Sequence, residues 1–183
     1  MKKYTKGEIA KIVLAASAAG AITLIAITMP GIGPMFKLFM PRKTYEKKQL
    51  QQSFKKLVNG GYLRIDTDPK GRKVIVVTEK GNKRLVKTQV DDLYIKKAKS
   101  WDGKWRLVIF DIPEEKKIAR DAMTQKLKSL GMYSLQRSTF VFPYKCKEEV
   151  DFLATYYNVS DCVYFIEAQK IENDQLIKQH FQC

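Results

Sequence analysis

The chain has 183 residues, 45% of them hydrophobic, which leaves room for two domains with apolar cores. Its formal net charge of +15 points to a polyanionic partner, either nucleic acid or an anionic membrane. Three unpaired-looking cysteines (Cys146, Cys162, Cys183) and one near-terminal histidine (His180) exclude a disulfide scaffold, a zinc-ligand cluster and a Ser/His/Asp triad, and they fit a reducing cytoplasm. No phosphate-binding Walker loop or dinucleotide fingerprint is present.

The charge is unevenly placed. Residues 1–90 hold 19 Lys+Arg against 5 Asp+Glu, whereas residues 91–183 hold 15 against 14. The excess therefore belongs to the first half, as a polyanion-binding face or as a solubilising lysine-rich surface.

In chain order, residues 12–36 come first and contain no charge. Two readings stand for them. Residues 12–29 are long enough to anchor the protein in a membrane, where about 20 apolar residues suffice. Alternatively they form a buried helix, with Ile9, Ile12, Val13, Ala16, Gly20, Leu24 and Ile27 on one face, stopped by Pro30-Gly31 and Gly33-Pro34. The short segment PMFKLFM (34–40) would supply a second helix.

From Thr44 the pattern predicts a helix, with Thr44 as N-cap and Gly60-Gly61 as stop. Leu50, Phe54, Leu57 and Val58 make its apolar face. Lys47, Lys48, Gln52, Lys55, Lys56 and Asn59 are the donors left to meet phosphates and base edges. Two β-rich runs, YLRID and KVIVV, then flank a turn with Pro69 and Gly71, predicting a hairpin whose tip carries Lys70, Arg72 and Lys73. Thr78 should cap a following helix. A basic helix followed by a basic hairpin is the organisation of a winged helix-turn-helix, and VTEKGNKRL resembles the wing-to-helix junction of many winged-helix repressors. Domain bounds are set at 1–95 and 105–183, with the polar stretch 96–104 as linker.

The second half reads strand (WRLVIFD), helix (EEKKIARDAMTQKLKSLG), two strands (MYSLQ, STFVFPY), helix (KEEVDFLATYY), strand (DCVYFIEA) and a terminal helix (ENDQLIKQHF). This is the split βαβ pattern of a ferredoxin-like βαββαβ domain. In the first of these helices Ile118, Ala122, Met123, Leu127 and Leu130 form the apolar side and Gly131 the stop. The expected fold class is thus α+β, a winged helix-turn-helix followed by a ferredoxin-like domain.

Residues 104–153 resemble the small CRISPR-associated "Cas-two" adaptation proteins. The resemblance is carried by the strand-end Asp111-Ile112-Pro113, by Arg120 and Gly131, and by Gln136-Arg137-Ser138-Thr139-Phe140. A winged helix ahead of such a domain resembles the PaaX-like transcriptional repressors, named after phenylacetate catabolism. That resemblance implies a cytoplasmic, nucleoid-associated regulator that binds double-stranded DNA as a homodimer paired through its C-terminal domain. The Cas-two resemblance also implies a dimer that brings two Asp111 carboxylates together around Mg2+, making a metal-dependent endonuclease the alternative. From the residues alone, Asp111 can equally cap the helix after Pro113. Arg120 and Arg137 are candidates for phosphate contact or for an interface ion pair. No other cofactor is expected.

Overall fold

The computed structural model describes residues 10–11, 47–71 and 73–182. The chain separates into two compact units, Met1–Asp91 and Asp92–Cys183. The apolar run 12–29, the Thr44 cap and the segment 34–40 lie outside the described residues. Among the described residues no helix is long and apolar enough to cross a membrane.

In the first unit, helix α1 (Lys47–Asn59), strands β1 (Leu63–Thr67) and β2 (Lys73–Val77), and helix α2 (Glu79–Asp91) follow one another. Gly61 ends α1 because the stop needs a left-handed residue (φ +70°). Its N–H donates to Val58 O (2.9 Å) and that of Tyr62 to Leu57 O (2.9 Å), the paired bonds of a Schellman cap. β1 and β2 pair antiparallel from Leu63↔Val77 to Thr67↔Lys73. Their tip turns through Asp68-Pro69-Lys70-Gly71, closed by Gly71 N to Asp68 O (2.9 Å) and by Lys70 N to Asp68 Oδ1 (2.9 Å).

Thr78 caps α2 as expected: its Oγ1 accepts from Gly81 N (3.1 Å). The same hydroxyl donates to Gly61 O (2.6 Å), and Thr78 N donates to Tyr62 O (3.1 Å). The first turn of α2 therefore lies directly on Gly61 and Tyr62, between α1 and β1. A β-carbon on Gly81 would stand 2.2 Å from Tyr62 O.

The second unit has strand β3 (Trp105–Phe110), a 3-10 turn (Glu114–Lys116), helix α3 (Lys117–Ser129), strands β4 (Tyr133–Gln136) and β5 (Thr139–Phe142), helix α4 (Lys147–Tyr156), a 3-10 turn (Ser160–Cys162), strand β6 (Val163–Ala168) and helix α5 (Gln175–Phe181). The sheet order is β4-β5-β3-β6 with every neighbouring pair antiparallel, which is the ferredoxin-like topology. Strand alternation sends Arg106, Val108, Phe110, Phe140 and Phe142 to one face, all 2% exposed or less. Met123 and Leu127 of α3, with Val150, Leu153 and Ala154 of α4, are the buried helix positions that complement that face. On the other face Trp105 and Val141 pack with Ile177 of α5, flanked by Trp101, Tyr133 and Phe181.

The stretch 96–104, taken from the sequence as linker, contributes side chains to this unit. The Trp101 ring lies 4.5 Å from that of Trp105. Asp102 grips Arg106, which is only 1% exposed in mid-sheet. The guanidinium donates to both Asp102 carboxylate oxygens (2.6 Å each), to Lys104 O and to Pro143 O (2.8 Å each), and its Nε faces Glu167 at 3.6 Å. A buried charge is tolerated only when so enclosed.

Two expectations need correction. Ile118 is 89% exposed, because it lies in α3 five residues before Met123, about 140° round the helix from the buried line of Met123 and Leu127. Asp111 caps nothing: the turn is preceded by Pro113 and α3 by Lys116, neither with a side-chain cap bond. Asp111 instead donates its own N–H to Cys162 O (3.0 Å).

Gly81→Ala should destabilise the first unit by about 1–3 kcal/mol, since backbone must move to admit the methyl group; denaturant titration of the full chain measures it. Asp102→Asn should cost about 1–2 kcal/mol, a value discounted for the solvent that reaches Asp102. The hydrogen bond from Arg106 holds the Asp102 carboxyl well below its ordinary value. The depressed value means the stabilisation is present above the unfolded pKa of about 3.9 and is lost as pH falls through the folded one. Wild type and Asp102→Asn should therefore converge in stability on acidification, as pH-dependent melting will read.

Candidate nucleic-acid interface

α1 is amphipathic in the sense the sequence implies. Ser53 and Leu57 are buried, while Gln52, Lys55, Lys56 and Asn59 are exposed. The spacing of these four (i, i+3, i+4, i+7) places them along one line of the helix. Lys47 and Lys48 stand in its first turn, with their side chains outside the described set. At the hairpin tip Lys70 is exposed, Lys73 opens β2 with its side chain outside the described set, and Arg72 lies outside it altogether. The structure thus brings four of the expected donors onto one helix line and sets Lys70 apart on the hairpin.

The sequence reading passed over the cations of α2. Lys80, Lys83, Arg84 and Lys87 are all exposed and repeat the same i, i+3, i+4, i+7 spacing. Lys80 Nζ donates to Gly60 O (2.9 Å), neutralising the carbonyl-rich end of α1. Lys80 and Arg84 both approach the Tyr62 ring, at 4.8 and 4.5 Å from its centroid. Lys83 pairs with Glu79 (2.6 Å). The signal was available in KGNKRLVK, whose basic positions fall at helical spacing. On β1, Arg64 is held by Asp66 (2.7 Å), which raises the guanidinium pKa.

In the second unit the candidates gather around the end of β3. Asp111 is exposed. Arg120 pairs with Glu114 (2.9 Å) and its Nη1 reaches Ile112 O (3.5 Å). The hydrogen bond from Arg120, then its charge with those of Lys117 and Arg137, holds the Glu114 carboxyl below its usual range. Arg137 is exposed in the β4–β5 turn. Among the described residues of one chain there is no group of three or more His, Cys, Asp or Glu fit to hold a metal ion. Within one chain Asp111 offers a single carboxylate, and a magnesium site there would need the Asp111 of a second copy as well.

One further surface stands out. The sheet face that α5 closes at the Trp105 end carries Leu107, Ile109, Leu135, Tyr164 and Ile166 beyond it. Tyr164 is 60% exposed and Ile166 45%. Such an apolar sheet face is uncommon on a chain that works alone.

The βαββαβ order, the antiparallel sheet and the strand-end Asp111-Ile112-Pro113 define the second unit as a ferredoxin-like domain of the Cas2-like kind. Residues 98–178 match the family model described as the PaaX protein central Cas2-like domain, so the second unit is similar to the central domain of the PaaX family. No curated protein matches the chain.

Cys146 is buried and free, and burial pushes its thiol up to about 12. Iodoacetamide at pH 8 should therefore leave Cys146 unmodified in the native protein and alkylate it once the domain is unfolded, as peptide mass mapping will show.

Proposed function

We propose that the protein is a transcriptional regulator that binds double-stranded DNA through its N-terminal unit, acting as a repressor that occludes a promoter. The observation that carries the reading is the exposed line Gln52, Lys55, Lys56 and Asn59 on α1, followed by a hairpin with Lys70 at its tip. In this reading the unit is a winged helix. α1 enters the major groove, where Gln and Lys meet base edges, and the hairpin rests on the backbone as the wing. The match of residues 98–178 to the PaaX central Cas2-like domain supports regulation as the purpose.

The homodimer forms through the second unit. The apolar sheet face with Leu107, Ile109, Tyr164 and Ile166 supports that role, because burying it against a copy of itself removes apolar surface from water. Two-fold pairing then matches a palindromic operator. A duplex-binding role places the protein with the chromosome in the cytoplasm.

A second reading, metal-dependent cleavage, has one observation in its favour: Asp111 is exposed and has no capping role. EDTA-sensitive cleavage that disappears in Asp111→Ala would establish it. Equal trace cleavage in that variant would mark a contaminant.

Selection of bound duplex from a random pool at fixed salt tests the principal reading. A palindromic site should emerge. The variant Lys48→Ala/Gln52→Ala/Lys55→Ala should lose the preference and at least about tenfold in affinity, since a good base contact is worth about 1–3 kcal/mol. Binding without any sequence preference would reduce the protein to a general nucleic-acid binder.

A further inference from the structure

We infer that α2 is a second DNA-contacting element, in which Lys83 and Lys87 bind the sugar-phosphate backbone beside the groove addressed by α1. This rests on the DNA-binding reading above and adds to it a surface that neither the wing nor the reading helix supplies.

The starting point is a line of like charges. Lys80, Lys83, Arg84 and Lys87 occupy i, i+3, i+4 and i+7 of α2, and all are exposed. Like charges three and four apart repel along a helix and weaken it. A polyanion laid along the line removes that repulsion, which solvent alone does only in part.

The four cations divide by task. Lys80 and Arg84 are used within the fold. Lys80 donates to Gly60 O at 2.9 Å, and both side chains approach Tyr62. These contacts join the start of α2 to the end of α1, immediately after Asn59. The exposed line of α1 and the cationic line of α2 therefore meet at Gly60. A polyanion that reaches Asn59 at the end of α1 is thereby brought towards Lys80 at the start of α2.

Lys83 and Lys87 are the cations left to act on a ligand. Lys83 pairs with Glu79, but both side chains are about four-fifths exposed (77% and 82%), so the pair is screened and readily exchanged for phosphate. Among the described residues Lys87 has no ion-pair partner. Lysine is a flexible point charge, suited to phosphate rather than to bidentate reading of a base. The partner class is accordingly duplex phosphate, and the contact should carry no sequence preference.

The test is equilibrium binding of the full chain to the duplex enriched by selection, or to a mixed-sequence duplex if none is enriched, across a potassium chloride series. Each phosphate contact contributes about 0.9 to the slope of log affinity against log salt. Lys87→Ala, which leaves no carboxylate unpaired, should lower the slope by about 1, and Lys83→Ala/Lys87→Ala by about 2. Lys83→Arg/Lys87→Arg should restore it, and relative affinity for different sequences should not change. A wild-type slope in the double alanine variant overturns the role of α2 while leaving α1 as the reading element. Failure of the wild type to bind duplex at all overturns the DNA-binding reading instead, and this inference with it. Circular dichroism of each variant separates lost contact from lost fold.

Discussion

The seat of the first turn of α2 on Tyr62 is the contact on which the basic unit depends. Thr78 makes three hydrogen bonds there, to Tyr62 O, to Gly61 O and from Gly81 N. Gly81 leaves the space that lets the two backbones touch. The consequence is that four things are tied at one place: the end of α1, the start of β1, the end of β2 and the start of α2. In the proposed reading, a helix that enters a groove must keep its angle to the elements that grip the backbone, and this junction would keep it. Among the described residues Leu57, Leu63, Ile75 and Val90 are the deeply buried apolar side chains of this unit.

The two units handle charge in opposite ways. In the first, cations are exposed and outnumber the acids. In the second, the most deeply buried cation, Arg106, is closed off by Asp102, two carbonyls and Glu167, and other charges pair locally, as in Arg120–Glu114, Lys147–Asp151 and Lys178–Asp174. Charges satisfied inside the chain have little left for a partner. What the second unit does leave open is apolar, on the sheet face with Tyr164 and Ile166. Electrostatic attraction to a polyanion and apolar attraction to another protein surface are thus separated along the chain.

Much of this was legible in the sequence because it depends on local signals. The stops at Gly61 and Gly131, the Thr78 cap and the hairpin around Pro69-Lys70-Gly71 are each set by one or two residues with strong conformational preferences. The order of strands and helices in the second half identified the ferredoxin-like domain. Other features were not legible. Arg106 interrupts an apolar strand, and nothing local says that its charge turns inward; that depends on Asp102 and Glu167 arriving from outside the strand. Asp111 before Ile-Pro has the composition of a cap, but a 3-10 turn intervenes and moves the helix start to Lys117. Asn158 ends α4 in a left-handed conformation (φ 55°) that sequence alone flags far more weakly than glycine does. The basic line of α2 was missed for a different reason: lysines on a helix are ordinarily a solvated face, and their meeting with α1 becomes visible only through the Lys80–Gly60 contact.

The charge division also bears on how strongly such a protein can hold DNA. A single small unit with a handful of phosphate contacts binds weakly at physiological salt, since each contact is eroded as counterions compete. Extra cations on the same unit would raise affinity for every sequence equally and so would not help it find an operator. Joining two units through an apolar face acts differently. The second binding event becomes intramolecular, and affinity rises only where two half-sites have the right spacing and symmetry. On the proposed dimer reading, a chain that keeps its excess charge in one module and an apolar pairing surface in the other gains affinity and selectivity together. This coupling is the physical case for a near-neutral Cas2-like domain, with no metal-ligating cluster among its described residues, joined to a strongly basic one.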